Sequence, residues 1–135
     1  MSVVVGYDGS QVAAQAVRFA ADEARQRGVP LEVIAAWDAP TVDLGIGSGS
    51  VVDPQLADAV AQRAVEVAAE GAGLVEGDVR SSAVPGPAAA ALVDASRGAD
   101  LVVVGSHGRH GMADLLLGGV SRQVAAHSAC PVIVV

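Results

Sequence analysis

At 135 residues, 52% of them apolar, the chain is long enough to bury a core of its own and fits a single domain over residues 1–135. A net charge of −7 and just three aromatic residues, Tyr7, Phe19 and Trp37, argue against nucleic acid and anionic membranes as partners, which require basic or stacking surfaces. All eight basic side chains are arginines, which excludes a lysine-bearing phosphate loop, a Schiff-base enzyme and a kinase strand lysine.

The chain opens with an apolar run, residues 3–7, that reads as a buried strand. Asp8-Gly9-Ser10 breaks it and supplies N-cap chemistry. Ala13, Ala16, Val17, Ala20 and Ala24 then recur at helical spacing, with Arg18, Asp22 and Arg25 turned away. Gly28 and Pro30 end that helix, and residues 31–37 form a second strand. Residues 38–52 carry prolines, glycines and serines without periodicity and are expected to form a mobile loop.

Asp53-Pro54 is a helix start, an N-cap followed by proline in the first turn. Leu56, Ala57, Val60, Ala61, Ala64, Val65 and Ala68 predict its buried stripe, and Gly71 with Gly73 its end. A third strand covers residues 79–84. Pro85-Gly86-Pro87 turns the chain into an alanine-rich helix that runs through Ala95 and closes at Gly98. Residues 101–104 make a fourth strand. A long glycine-rich connection, 105–119, follows, with a short helical turn expected near residues 113–117. A final helix over 120–127 and a fifth strand from Pro131 to Val135 complete the pattern. Strands alternating with helices in this way define an α/β fold with a parallel sheet and helices on both faces, Rossmann-like.

No apolar run approaches the ~18–20 residues of a membrane-spanning helix. The first residues show no basic segment leading into an apolar core, so neither a membrane span nor a signal peptide is expected. Cys130 is the single cysteine, which agrees with a reducing cytoplasm. It reads as a small buried apolar residue, and His127 as a surface residue at a helix C-terminus.

In an open parallel sheet, ligands bind beyond the carboxyl ends of the strands, where the strand order reverses. Two strand ends carry unusual residues. One is Gly6-Tyr7-Asp8-Gly9-Ser10. The other is Gly105-Ser106-His107-Gly108-Arg109-His110-Gly111. Glycines there let backbone N–H groups approach a phosphate without an intervening Cβ. Gly118-Gly119 precede a helix whose first N–H groups are free for an anion. Asp8 is placed to accept from ribose hydroxyls or to hold Mg²⁺ through water. A single glycine after a strand is usually no more than a tight turn, and a single Asp at such a place is usually an N-cap. The combination is what points to a nucleotide. His107 and His110 lack further ligands for a metal site, and no G-x-S-x-G elbow supports a hydrolase.

At these residues the chain resembles the universal stress protein family, in its ATP-binding branch. The family motif after strand four is G-x2-G-x9-G-[ST]. Gly105, Gly108 and Gly118 match its glycines, and Gly119 stands where the family prefers serine or threonine. The opening Val-Gly-Tyr-Asp-Gly-Ser and the closing Cys-Pro-Val-Ile-Val-Val are also similar to the family's ends, so the resemblance covers the whole chain. It implies the strand order 3-2-1-4-5. Gly6 and Asp8 would lie near base and ribose, and the backbone of Ala36 would meet adenine. Gly105, Ser106, His107, Gly108, Arg109 and Gly111 would border the phosphates. Gly118, Gly119 and Val120 would meet the terminal phosphates, and Ser121 is the nearest hydroxyl after them, a partial substitute for the missing one at Gly119 although its offset on the helix start points it elsewhere. The implied ligand is ATP, with ADP or AMP as alternatives and Mg²⁺ as a companion.

The resemblance further implies a stress-response regulatory module and a homodimer formed through the strand from Pro131 to Val135. No general base is evident, so fast ATP hydrolysis is not expected. A slow Mg²⁺-dependent ATPase or phosphotransferase using Asp8, and a nucleotide-free interaction protein, are the competing readings.

Overall fold

The computed structural model describes residues 1–37, 54–72, 78–107 and 118–135. Its elements are β1 (Val3–Gly6), α1 (Gln11–Arg27), β2 (Leu31–Trp37), α2 (Pro54–Ala72), β3 (Val79–Pro85), α3 (Ala88–Ser96), β4 (Leu101–Val104), α4 (Gly119–His127) and β5 (Val132–Val134). The five strands form one parallel sheet in the order β3-β2-β1-β4-β5. The chain therefore winds outward from β1 in one direction through β2 and β3. It then crosses back and winds outward in the other direction through β4 and β5. The reversal lies between β1 and β4, where Val3, Val4 and Val5 pair with Leu101, Val102 and Val103.

Both faces of the sheet are covered, which is why β1 and β4 at its centre read as unbroken apolar runs, while β3 at the edge carries exposed Arg80, Ser81 and Ser82. On one face α1 and α2 pack on Val3, Val5, Leu31, Val33, Leu101 and Val103. On the other, Ala89 and Leu92 of α3 and Val124 of α4 pack on Val4, Ile34, Val102 and Val104. Alanine dominates the helical side of the first interface: Ala13, Ala16, Ala20, Ala21 and Ala24 are all buried. Such small side chains let α1 lie close over the β1–β4 pair.

The helix ends follow local chemistry. Ser10 caps α1, its Oγ accepting from Ala13 N–H at 3.1 Å. Gly28 closes α1 in the left-handed conformation, φ 66°, with its N–H on the carbonyls of Ala24 and Arg25. Arg25 and Arg27 sit in that last turn, where positive charge suits the helix dipole. On the surface of α2, Arg63 bonds to Glu66 at 2.9 Å and is held above its ordinary pKa, first by that bond and then by the charge of Glu70.

The second helix ends at Ala72, between the two glycines, Gly71 and Gly73, expected to close it. Other expectations are corrected. The buried face of α2 includes Val67, which the predicted stripe omits, while Val65 is half-buried. Cys130 is half-buried rather than buried, with Sγ directed to the Pro131 carbonyl. The fifth strand is shorter than its apolar run, although pairing continues past it: Val135 N–H donates to Val104 O at 2.9 Å. The expected loop over 38–52, the Asp53 cap and the short turn at 113–117 lie outside the described residues. So does the side chain of Trp37.

Candidate functional site

Parallel pairing brings the carboxyl ends of β1 and β4 side by side, so the two unusual strand ends share one edge of the sheet. After β1, Tyr7 is still tied to the sheet by its N–H on Ile34 O at 3.0 Å. The chain then turns through Gly9, whose φ of 87° only glycine adopts readily. Asp8 stabilises that turn, its Oδ1 accepting from Ser10 N–H at 2.9 Å. One carboxylate oxygen is thus committed to the turn that starts α1.

After β4 the chain passes Gly105, Ser106 and His107, all half-buried. A Cβ on Gly105 would stand 2.9 Å from Val12 Cγ1 on α1. A Cβ on Gly6 would stand 3.0 Å from Leu92 Cδ1 on α3. Both glycines therefore have a packing reason to be glycine, independent of any phosphate. They let α1 and α3 close down over the end of the sheet, on opposite faces.

Ser106 is the joint of this edge. Its N–H donates to Val135 O at 2.8 Å, and its carbonyl accepts from Gly118 N–H at 2.6 Å. Its Oγ lies 3.0 Å from His107 Nδ1. Gly118 is the N-cap of α4, with extended backbone at φ −72°, ψ 169° and no side-chain cap. The first N–H groups of any helix lack intrahelical acceptors, and Gly118, having no side chain, does not cap them. They lie at the same edge, held there by the Ser106–Gly118 bond. The arrangement can receive an anion on backbone donors, with no lysine required.

Of the site residues expected from sequence, the structure brings Gly6 and Asp8 to the end of β1 and Gly105, Ser106 and His107 to the adjacent end of β4. Gly118 is tied to Ser106, and Gly119 and Val120 are exposed in the first turn of α4. Ala36 lies in β2, in register with Val84 of β3. Gly108, Arg109 and Gly111 lie outside the described residues. Ser121 is buried at 1% exposure, and its hydroxyl contacts the carbonyls of Ser106 and Gly118. Val12 was not anticipated at this edge. Its half-buried position as the second residue of α1 gives no signal in the residue pattern, because only the fold brings α1 over Gly105. Among the described residues no cluster of three or more His, Cys, Asp or Glu could hold a metal ion, and no helix is long and apolar enough to cross a membrane.

Five parallel strands in the order β3-β2-β1-β4-β5, with helices on both faces, define a doubly wound α/β domain of Rossmann-like class. The chain belongs, more narrowly, to the universal stress protein family, whose family model matches residues 1–135. A universal stress protein of Mycobacterium tuberculosis is 40% identical over 133 residues, covering 98% of this chain and 44% of that protein. One of Mycolicibacterium smegmatis is 34% identical over 139 residues, covering all of this chain and 45% of its own length. The chain thus spans less than half the length of these curated relatives. Among solved structures, a universal stress protein in complex with cAMP is 28% identical, with a TM-score of 0.76, covering 100% of this chain and 95% of that one. The universal stress protein of Archaeoglobus fulgidus in complex with dAMP is 25% identical, with a TM-score of 0.72, over 99% and 96%.

Proposed function

We propose that this chain is an adenine-nucleotide-binding module, with the ligand at the β1–β4 switch point. The observation that carries the reading is the pairing of β1 with β4. That pairing sets Asp8-Gly9-Ser10, Gly105-Ser106-His107 and the start of α4 along one edge of the sheet. The complexes of similar proteins with cAMP and dAMP support adenine on a pentose monophosphate as the shared recognition element.

The division of labour follows from the chemistry of each wall. The backbone near Ala36 would meet the base, and Asp8 the ribose. The phosphates would lie toward Ser106, His107 and the first turn of α4, with Gly108, Arg109 and Gly111 contributing from the connecting segment. ATP is the preferred occupant in this reading, with AMP and ADP next, and Mg²⁺ accompanying the phosphates. The protein carries a net charge of −7, so attraction has to come from local donors rather than from the overall field. We further read the chain as a cytoplasmic stress-response regulator that pairs with a second copy through β5. Among the described residues that strand is the outer one on its side of the sheet, and its residues are half-buried and apolar.

One observation favours a second reading. Gly119 lacks the hydroxyl that the family motif places at the helix start, which would suit a relative that signals without nucleotide. An ATPase or phosphotransferase built on Asp8 draws less support, because Asp8 Oδ1 is already engaged by Ser10 N–H. Native mass spectrometry of the purified chain separates these readings. A co-purified or added adenine nucleotide retained at one per chain supports the proposal. A chain that retains none, alongside a control of known binding, supports the nucleotide-free reading.

A further inference from the structure

Ser121 lies in the first turn of α4 and is 1% exposed. A hydroxyl buried so completely must find acceptors inside the protein. Its Oγ reaches Gly118 O at 3.0 Å and Ser106 O at 3.3 Å. A hydroxyl has a single proton, so the two carbonyls share it. They belong to opposite ends of the connection between β4 and α4. Gly118 N–H closes the same clasp on Ser106 O.

Both carbonyls have other donors. Ser106 O keeps Gly118 N–H, and Gly118 O keeps Arg122 N–H at 3.0 Å. Removing the hydroxyl therefore strands no acceptor, and the cost to folding is small. What disappears is a link between the Ser106 peptide and the first turn of α4. Ser106 is held from its other side by β5, through its N–H on Val135 O. The clasp thus sets the start of α4 against a fixed strand end.

We propose that Ser121 is a positioning residue: without touching the ligand, it aligns the backbone donors of Gly119 and Val120 with the Ser106 segment and so supports phosphate binding. This rests on the reading of the edge as an adenine-nucleotide site. A donor misplaced by a fraction of an ångström loses much of its bond to a phosphate, while base and ribose contacts at β1 and β2 are unaffected.

The test compares adenosine, AMP and ATP as ligands of the whole chain, by calorimetry with competition for the weaker ones, together with urea unfolding. For Ser121→Ala the expected result is an affinity loss of roughly five- to tenfold for AMP and ATP, none for adenosine, and a nearly unchanged unfolding midpoint. Ser121→Cys, which keeps the shape of the side chain with a somewhat larger atom and donates weakly, should fall between, and it carries the comparison if the alanine variant folds poorly. Equal loss for adenosine and AMP would mean that the residue merely supports the fold, and overturns the inference. So does unchanged affinity for all three ligands. If neither the unmodified chain nor Gly119→Ser binds any of the three, the nucleotide reading itself fails and this inference with it. Binding by those two with no selective effect at Ser121 fails this inference alone.

Discussion

Replacing Gly119 by serine should strengthen nucleotide binding, and the structure explains why the gain is accessible. Gly119 is the first residue of α4, and it is not among the glycines with positive φ. A Cβ built there meets nothing within 4 Å. The substitution therefore introduces neither strain nor a clash. Serine is also better than glycine in a helix, by about 0.5 kcal/mol. A hydrogen bond to a charged group contributes roughly 1.5–3 kcal/mol, which corresponds to about ten- to 150-fold in affinity. The position is exposed, so solvent competes and the lower end, about tenfold, is the expectation. Isothermal titration of Gly119→Ser and the unmodified chain with ATP and with adenosine is the assay. ATP should gain about tenfold and adenosine nothing. Unchanged ATP affinity would refute the placement of phosphates at the start of α4. An equal gain for adenosine would refute the assignment of the gain to a phosphate contact.

Three further outcomes follow from the same geometry. Gly105→Ala forces a Cβ to 2.9 Å from Val12 Cγ1 and should destabilise the fold by about 1–3 kcal/mol in urea, with Val12→Ala restoring part of the loss; a neutral Gly105→Ala would show that α1 does not press on the end of β4. Ser10→Ala removes the N-cap bond to Ala13 N–H and should cost about 1 kcal/mol of stability, read by thermal or urea unfolding; no loss would mean that the cap is replaced by water without penalty. In β5 the bonds to β4 use the carbonyl of Pro131 and the N–H of Val135, so by alternation Val134 directs its N–H to the outer edge. Val134→Pro should therefore shift a dimer toward monomer in sedimentation while leaving β4 paired, whereas an unchanged dimer would place the interface elsewhere.

The fold was legible because burial on both faces of a parallel sheet leaves a plain mark. Runs such as residues 101–104 are uninterrupted, and the helices between them carry alanine and valine at helical spacing. The boundaries of β2 and β4 coincide with those apolar runs. Glycine punctuation was informative to within a residue, since α2 ends at Ala72, between Gly71 and Gly73. The strand order was reached through family resemblance, because residue patterns do not state which strands pair. The site was legible in its segments and less so in its details. Glycines at positions 6 and 105 suggested room for a ligand, and the structure adds neighbouring helices that also need that room. Ser121 was grouped with the binding residues as the nearest hydroxyl after the motif, although its offset on the helix start already pointed it elsewhere. That it meets Ser106 depends on how α4 settles, a contact between residues 15 apart that the local pattern does not state.

Equilibrium dialysis of the unmodified chain against labelled ATP, with AMP, cAMP and GTP as competitors, tests the central claim most directly. The account predicts saturable binding of one nucleotide per chain, displaced by AMP and cAMP and resistant to GTP. Absence of saturable binding at millimolar ATP, or equal displacement by GTP, would contradict it.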